Sequence, residues 1–393
     1  MRGWFGRSRR EEASTPAPEP VVVLFCYGGN NNFGDDYLLD LWIRWYRSKG
    51  ITVVVPTVDD WMSALYFGDG GVHLSGWMAQ VAQQERRKRK SVTDLGEALL
   101  ESGGAAAGRI LATEGPWKDV VPRIRGIHLA GGGYLNSYFE RGWLMAATLT
   151  DLGRRLSVPV FGTGLGLTPM PESVALSSEV LSRLDRLEVR DEESFAAVRR
   201  LLGSSSNLVQ GIDDAFLAPV RTASDAPREG TLTICVQSDM EGAALHDSLV
   251  DRIQSTVALN PGRPVRYLEF FGPDRKFRQR LAERVMIDEL VTKPVLFAGG
   301  LPVTAQDVVV TTRFHLHLLA SRAGARGVFA SARAGYYDTK HASVVRCGSR
   351  WSSLDETGSG AIDLGSLSTP RIDERSLVRQ KRELAGMLLK EVV

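Results

Sequence analysis

Seven short runs of apolar, largely β-branched residues punctuate this chain: VVVLFCY (21–27), ITVVVP (51–56), IHLA (127–130), VPVFGTG (158–164), LTICVQ (232–237), VRYLEF (265–270) and DVVVTT (307–312). They are nearly continuous rather than alternating. A strand of that kind is covered on both faces, which places it in a parallel sheet packed between helices. The segments between the runs have helical period. In DDYLLDLWIRWYRSKG (35–50), Leu38, Leu41, Trp42 and Trp45 recur at i, i+3, i+4 and i+7, and Gly50 stands where a helix-ending glycine belongs. Strand and helix in repeated alternation predict an α/β chain of doubly wound sheets.

At 393 residues the chain is too long for one ordinary domain and suits two. A polar, Pro- and Gly-containing stretch, APVRTASDAPREG (218–230), has linker composition. The expected division is therefore two Rossmann-like doubly wound domains, residues 21–220 and 231–365. Residues 1–20 are charged and then Pro/Ala-rich and read as a disordered tail, whereas 369–393 read as a terminal helix. Residues 61–118 show no strand pattern and are expected to form a helical insertion.

Several function classes drop out on composition. With 48 Lys and Arg against 46 Asp and Glu, the net charge of +2 is far from that of a dedicated nucleic-acid binder. Cys26, Cys235 and Cys347 are too few and too scattered for a disulfide framework or a metal cluster, and they suit a reducing compartment. The N-terminal stretch lacks the apolar core of a signal peptide, and no apolar run reaches the ~20 residues of a membrane helix, so a cytoplasmic protein is expected. The basic run ERRKRK (85–90) reads first as a solvated helix face. Its sharper alternative is peripheral contact with an anionic lipid surface or a lipid-diphosphate carrier.

Ligands of open α/β sheets bind beyond the carboxyl ends of the strands, where helix N-termini attract anions. The informative residues fall there. After the first run comes GGNNNFGDD (28–36), in which Asn30 and Asn32 can meet sugar hydroxyls and Asp35 or Asp36 can cap the next helix. The pattern is not GxGxxG, so no nicotinamide or flavin site is indicated. LAGGGYLN (129–136) brings Gly132 and Gly133, whose backbone can approach a ligand closely, and FGTGLGLTP (161–169) adds a second glycine-rich turn. Arg190 in LEVRDEES either pairs with Asp191 or Glu193 or clamps an anion, while Asp213 and Asp214 cap, hold a loop or contact an acceptor. In TTRFHLHLLASRAGARG (311–327), Arg313 and His315 occupy the first turn of a helix. His317 lies roughly 200° around that helix from His315 and need not serve the same ligand. No acid or cysteine nearby completes a metal-ligand set.

NNNFGDDYLLDLW, IHLAGGGYLN, VFGTGLGLTP, EVRDEES, GIDDAF and TTRFHLHLLASRAGARGVFASARAGYYDTK occur in the order seen in polysaccharide pyruvyl transferases. The chain resembles that family over residues 21–345, most specifically in the last segment. The resemblance implies two Rossmann-like domains facing across a cleft, as in B-type glycosyltransferases. It also implies transfer of pyruvate from phosphoenolpyruvate to hydroxyls of a saccharide, free or lipid-linked, as a ketal, with work at the inner face of the membrane. Donor phosphoenolpyruvate is then a substrate, and neither cofactor nor metal is called for. Carried over, Arg313 and His315 match the family's Arg-x-His, and Arg190 its arginine before an acid.

In that scheme Arg313 holds phosphate, Arg190 the carboxylate or phosphate, and His315, with a pKa near neutral, acts as general acid. Tyr337 and Lys340 supply further donors. Two departures concern the acceptor side: Asp214 stands where a proline is usual, and His128 where the strand commonly carries an Asp. A glycosyltransferase using a nucleotide sugar would share the architecture, with Glu269 as its ribose-binding acid. A non-catalytic sugar-binding relative would have no need of both Arg313 and His315.

Overall fold

Two parallel sheets, each with helices on both faces, are built from the predicted runs. The computed structural model describes residues 19–29, 32–57, 72–113, 117–204, 206–223, 230–239 and 243–393. The first sheet comprises β1 (Val21–Phe25), β2 (Thr52–Val55), β3 (Val72–Leu74), β4 (Ile124–Leu129), β5 (Val160–Leu165), β6 (Arg186–Val189) and β7 (Leu208–Gln210), in the order β3-β2-β1-β4-β5-β6-β7. The second comprises β8 (Leu232–Cys235), β9 (Val265–Glu269), β10 (Glu289–Thr292), β11 (Val308–Thr311), β12 (Arg326–Phe329) and β13 (Ser352–Ser353), in the order β10-β9-β8-β11-β12-β13. Central strands such as β1, β2, β8 and β11 are buried at every position, as their unbroken apolar runs require.

The first sheet carries α1 (Phe33–Arg47), α2 (Gly76–Lys88), α3 (Leu95–Leu111), α4 (Glu140–Leu156), α5 (Val174–Ser182) and α6 (Glu192–Leu202). The second carries α7 (Ala243–Ala258), α8 (Arg275–Ala282), α9 (Lys293–Gly299), α10 (Phe314–Arg322) and α11 (Tyr337–Arg346), and α12 (Glu374–Val392) closes the chain. The face that α1 buries is Leu38, Leu39, Trp42, Ile43 and Tyr46, so it is rotated from the predicted stripe and leaves Leu41 and Trp45 only partly covered. The predicted insertion contains a strand: β3 pairs with β2 ahead of α2 and α3. Its three residues are too few to show a pattern. The predicted tail lies almost wholly outside the described residues, as do 58–71 and the linker's 224–229.

Three apolar clusters organise the packing. One fills the outer face of the first sheet, under α2 to α6, and another that of the second. The third is shared by both sheets: Trp42, Phe33 and Phe216 from the first half meet Phe270, Phe314 and Leu319 from the second. Phe33 is its hinge point, with its ring 4.5 Å from that of Phe270 and its amide donating to the Phe270 carbonyl at 2.8 Å. Helix α12 crosses back to the first sheet. There the Lys381 ammonium, fully buried, donates to Glu188, to Asp214 at 2.9 Å and to the Ile212 carbonyl at 2.7 Å.

Candidate functional site

In each sheet the connections reverse direction once, between β1 and β4 and between β8 and β11. A crevice opens at the carboxyl ends there. The two crevices face each other, and the predicted residues stand around them.

The wall from the first sheet begins with the turn after β4. Gly131 donates to Asp214 at 2.7 Å, Gly132 has φ +146, which favours glycine, and the Gly133 carbonyl accepts from Asn136 at 2.6 Å. Arg190 follows β6. It pairs with Asp213 at 2.7 Å, not with Asp191 or Glu193, and its guanidinium carbon lies 4.4 Å over the Phe314 ring. Asp191 instead caps α6, and Glu193 reaches Arg346. Burial opposes the charge on Arg190, but Asp213 more than offsets it and raises the pKa.

The wall from the second sheet is the start of α10 and α11. His315 lies in the first turn of α10 with its Nε2 3.8 Å from Asp213. A Cβ on Gly34 would overlap the imidazole, so the first turns of α1 and α10 touch here only because residue 34 is glycine. On α11, Lys340 points at the glycine turn: a Cβ on Gly133 would stand 2.9 Å from both Lys340 Nζ and Tyr336 Oη, and Tyr336 donates to the Gly133 carbonyl at 3.2 Å. The Lys340 ammonium forms no ion pair among the described residues and lies 3.7 Å from the Tyr336 ring centre. Burial depresses its pKa well below the usual lysine value, and Arg190 and Arg313 push in the same direction. Both arginines therefore act on this one ammonium.

Arg313 is otherwise occupied. Its guanidinium donates to Asp239 at 2.7 Å and to both carboxylate oxygens of Asp274. Burial opposes its charge, yet the two acids hold its pKa above the usual value, while burial lifts Asp274 to about 6. A free clamp on phosphate was expected at this position. The arginine instead neutralises two acids. The general-acid expectation for His315 also changes: burial, assisted by Arg190 and Lys340 against Asp213, lowers its pKa to about 4, so the imidazole is neutral at pH 7.

Several buried polar atoms around this spot have no hydrogen-bond partner among the described residues: Arg190 Nε, His315 Nε2, both amide atoms of Gln237 and Ser238 Oγ. Gln237 is fully buried just past β8, with the Tyr337 hydroxyl beside it. Each unsatisfied group of this kind costs about 1–3 kcal/mol. Such a cluster at two switch points is what a polar ligand would satisfy.

Solved structures with this architecture are similar across nearly the whole chain. A UDP-GlcNAc 2-epimerase from Methanocaldococcus jannaschii superposes with TM-score 0.53 at 11% identity, covering 94% of this chain and 100% of that one. The MnaA–UDP structure from S. aureus gives 0.52 at 10%, covering 94% and 88%. A glycotransferase of kitacinnamycin gives 0.52 at 13%, covering 96% and 100%. The fold is that of B-type glycosyltransferases. No family model matches the chain, and no curated protein matches it. The named neighbours are sugar-handling enzymes; at these identities the likeness is one of fold.

Other predicted residues are placed as follows. Asn32 caps α1, accepting from the Gly34 amide at 3.1 Å and donating to Asp35 at 3.0 Å, so the capping role expected of Asp35 or Asp36 falls to it. Asp36 leaves the site: it is buried against Lys293 of α9 and accepts from the Gly29 amide at 2.8 Å. Asp35 stays at the crevice, close enough to act on Lys340 and Tyr336. Tyr337 is buried, and its hydroxyl is pushed up to about 12 by that burial. Asn30 lies outside the described residues. Glu269 pairs with Arg278 at 2.8 Å.

His317 is a core residue, stacked on Phe329 and Trp351 and 2.8 Å from Ser349 Oγ. The two departures from the family pattern meet each other. His128 Nε2 lies 2.8 Å from Thr163 Oγ1, which donates to Asp214 at 2.7 Å, so both belong to one buried network under the glycine turn. The sequence reading missed Tyr336, Gln237 and Ser238. The signal was position: Gln237 ends a run already marked as a strand, and its carboxyl end faces the crevice.

Proposed function

We propose that the chain transfers the enolpyruvyl group of phosphoenolpyruvate to two hydroxyls of a saccharide, forming a pyruvate ketal. The observation that carries this reading is the cluster at the facing strand ends: Lys340, which has no ion pair among the described residues, lies against Gly133, Arg190 lies against Gly166, whose amide donates to the Gly132 carbonyl, and both cations act on His315. A small, highly charged anion needs two fixed cations and free donors within a few ångströms. The family resemblance supplies the particular anion.

Arg190 Nε and Lys340 Nζ would hold the carboxylate and phosphate, with the first-turn amides of α10 adding donors. Arg313 keeps Asp239 and Asp274 from repelling the ligand. The bound anion favours the charged imidazole and raises the His315 pKa toward neutrality, which is when the residue becomes a useful acid. Protonation of the enol carbon makes C2 electrophilic and a sugar hydroxyl adds there, giving up its proton. The C2–O bond to phosphate breaks, phosphate departs with the electron pair, and the second hydroxyl closes the ketal.

A second reading has its own support. The matched fold is also that of proteins whose names carry UDP-GlcNAc or UDP, and the same cations would suit a diphosphate. Thermal unfolding with each ligand separates the two, because a ligand selective for the native state raises the melting temperature. Phosphoenolpyruvate is expected to stabilise the chain and UDP-N-acetylglucosamine to leave it unchanged. Incubation with saccharide acceptors should then release phosphate and add the mass of a pyruvate ketal. Stabilisation by the UDP-sugar alone would transfer the conclusion to nucleotide-sugar chemistry.

A further inference from the structure

The first sheet carries a separate cavity of about 370 Å³ between the end of β1, α2 and α4. Its floor is Phe25 and Met145, Tyr27 forms one wall, and Gln80, Gln83, Arg87 and Arg141 supply its polar rim. Tyr27 stacks on Tyr134, 6.2 Å between ring centres and 15° from parallel, and Tyr134 directly follows Gly133. The cavity and the candidate site are thus one aromatic pair apart.

The charge of this rim is unusual for its surroundings. In the basic run, Arg86 pairs with Glu140, Lys88 with Glu85, and Arg89 with Glu85 and Glu101. Arg87, which faces the cavity, has no acid partner among the described residues, and neither has Arg141 across from it. Among the described residues, no carboxylate lines the cavity. Gln80 and Gln83 likewise make no side-chain hydrogen bond within the described residues. Two guanidinium groups without an acid partner among the described residues, one of them beside the Tyr27 hydroxyl, select an anion such as phosphate, two amides offer paired donors and acceptors to vicinal hydroxyls, and an aromatic face accepts the apolar side of a sugar ring.

We infer that this cavity binds a saccharide bearing a phosphate or diphosphate, the acceptor of the proposed reaction. Only the word acceptor rests on that reading; the binding chemistry stands on the cavity itself. The phosphate can belong to a soluble sugar phosphate or to the headgroup that joins a sugar to a lipid.

Calorimetry with α-D-glucose 1-phosphate, glucose and inorganic pyrophosphate tests the inference on the full chain, compared with Arg87→Gln, Arg141→Gln and the double variant. Both arginines are exposed, so the fold should tolerate the changes. Glucose 1-phosphate is expected to bind the unaltered protein more tightly than glucose does, and the double variant to weaken it at least tenfold. Phosphoenolpyruvate affinity should be the same in all four proteins. Equal binding of glucose 1-phosphate by the double variant, or none by the unaltered protein, overturns the inference. So does arginine-dependent binding of phosphatidylglycerol vesicles without binding of glucose 1-phosphate, which would make the patch a membrane contact. If glucose 1-phosphate binds through the arginines but phosphoenolpyruvate never binds, the cavity stands and the pyruvyl-transfer reading falls.

Discussion

Gly34 and Gly133 do more for the candidate site than their type suggests. Each is the place where one half of the molecule comes within contact of a working side chain of the other, His315 in one case and Lys340 in the other. A methyl at residue 34 overlaps the imidazole, and the ring, held in the first turn of α10, cannot stay where it is. Gly34→Ala is therefore expected to lower turnover by roughly 10²-fold, the scale of a displaced acid–base group, while thermal unfolding shows a folded protein. Phosphate release under saturating phosphoenolpyruvate measures it. Turnover within twofold of the parent would mean that His315 is not the proton donor.

At the scale of elements, α12 matters more than its terminal position implies. Its Lys381 enters the first sheet fully buried and sits between Glu188 and Asp214. Asp214 in turn accepts from Trp42 at 2.7 Å and from Gly131, the first residue of the glycine turn. One helix thus anchors the turn on which the candidate site is built. Lys381→Met leaves two buried carboxylates without their cation, and breaking a buried pair in this way costs about 3–5 kcal/mol. Urea unfolding should register that loss, and adding Glu188→Gln and Asp214→Asn should recover part of it. A single variant as stable as the parent would show that water reaches the acids.

The whole molecule carries a pH dependence that no single element reveals. Burial lowers the pKa of His128 to about 4, of His315 to about 4 and of His341 to about 3, against an ordinary value of 6.5, and holds His317 well below 6.5 too. Between those values and 6.5 the unfolded chain binds protons that the folded chain refuses, so stability rises with pH across that window and is lost on acidification. For His128 and His315 a drop from 6.5 to about 4 corresponds to about 3 kcal/mol each. Asp274, held near 6, acts oppositely, since its protonation favours the fold, and Asp36, Asp40 and Glu188, also raised by burial, act with it, whereas Glu85, Asp151 and Asp214, held low, add to the effect of the histidines. Denaturant midpoints should fall steadily from pH 6.5 to 4. A flat profile would mean the imidazoles are solvated.

Continuous apolar runs determined the parallel sheets, and their carboxyl ends located His315 and the glycine turn, because a strand buried on both faces has one solvent-facing end where a ligand can sit. Arg190 was placed after a shorter apolar stretch, and Lys340 came only with the family resemblance. The short strands β3, β7, β10, β12 and β13 were not legible: two to four residues are too few to show a period, and several lie at sheet edges where polar residues are tolerated. Partnership was not legible either. Nothing local distinguishes Asp36 from Asp35, yet one is buried against Lys293 from the far half of the chain and the other remains at the crevice. Arg313 likewise reads as a free cation until Asp239 and Asp274 come into contact with it. Spacing along the chain fixes which residues reach the strand ends. Which of them stays unpaired there depends on charges brought from other elements, and only the tertiary structure decides that.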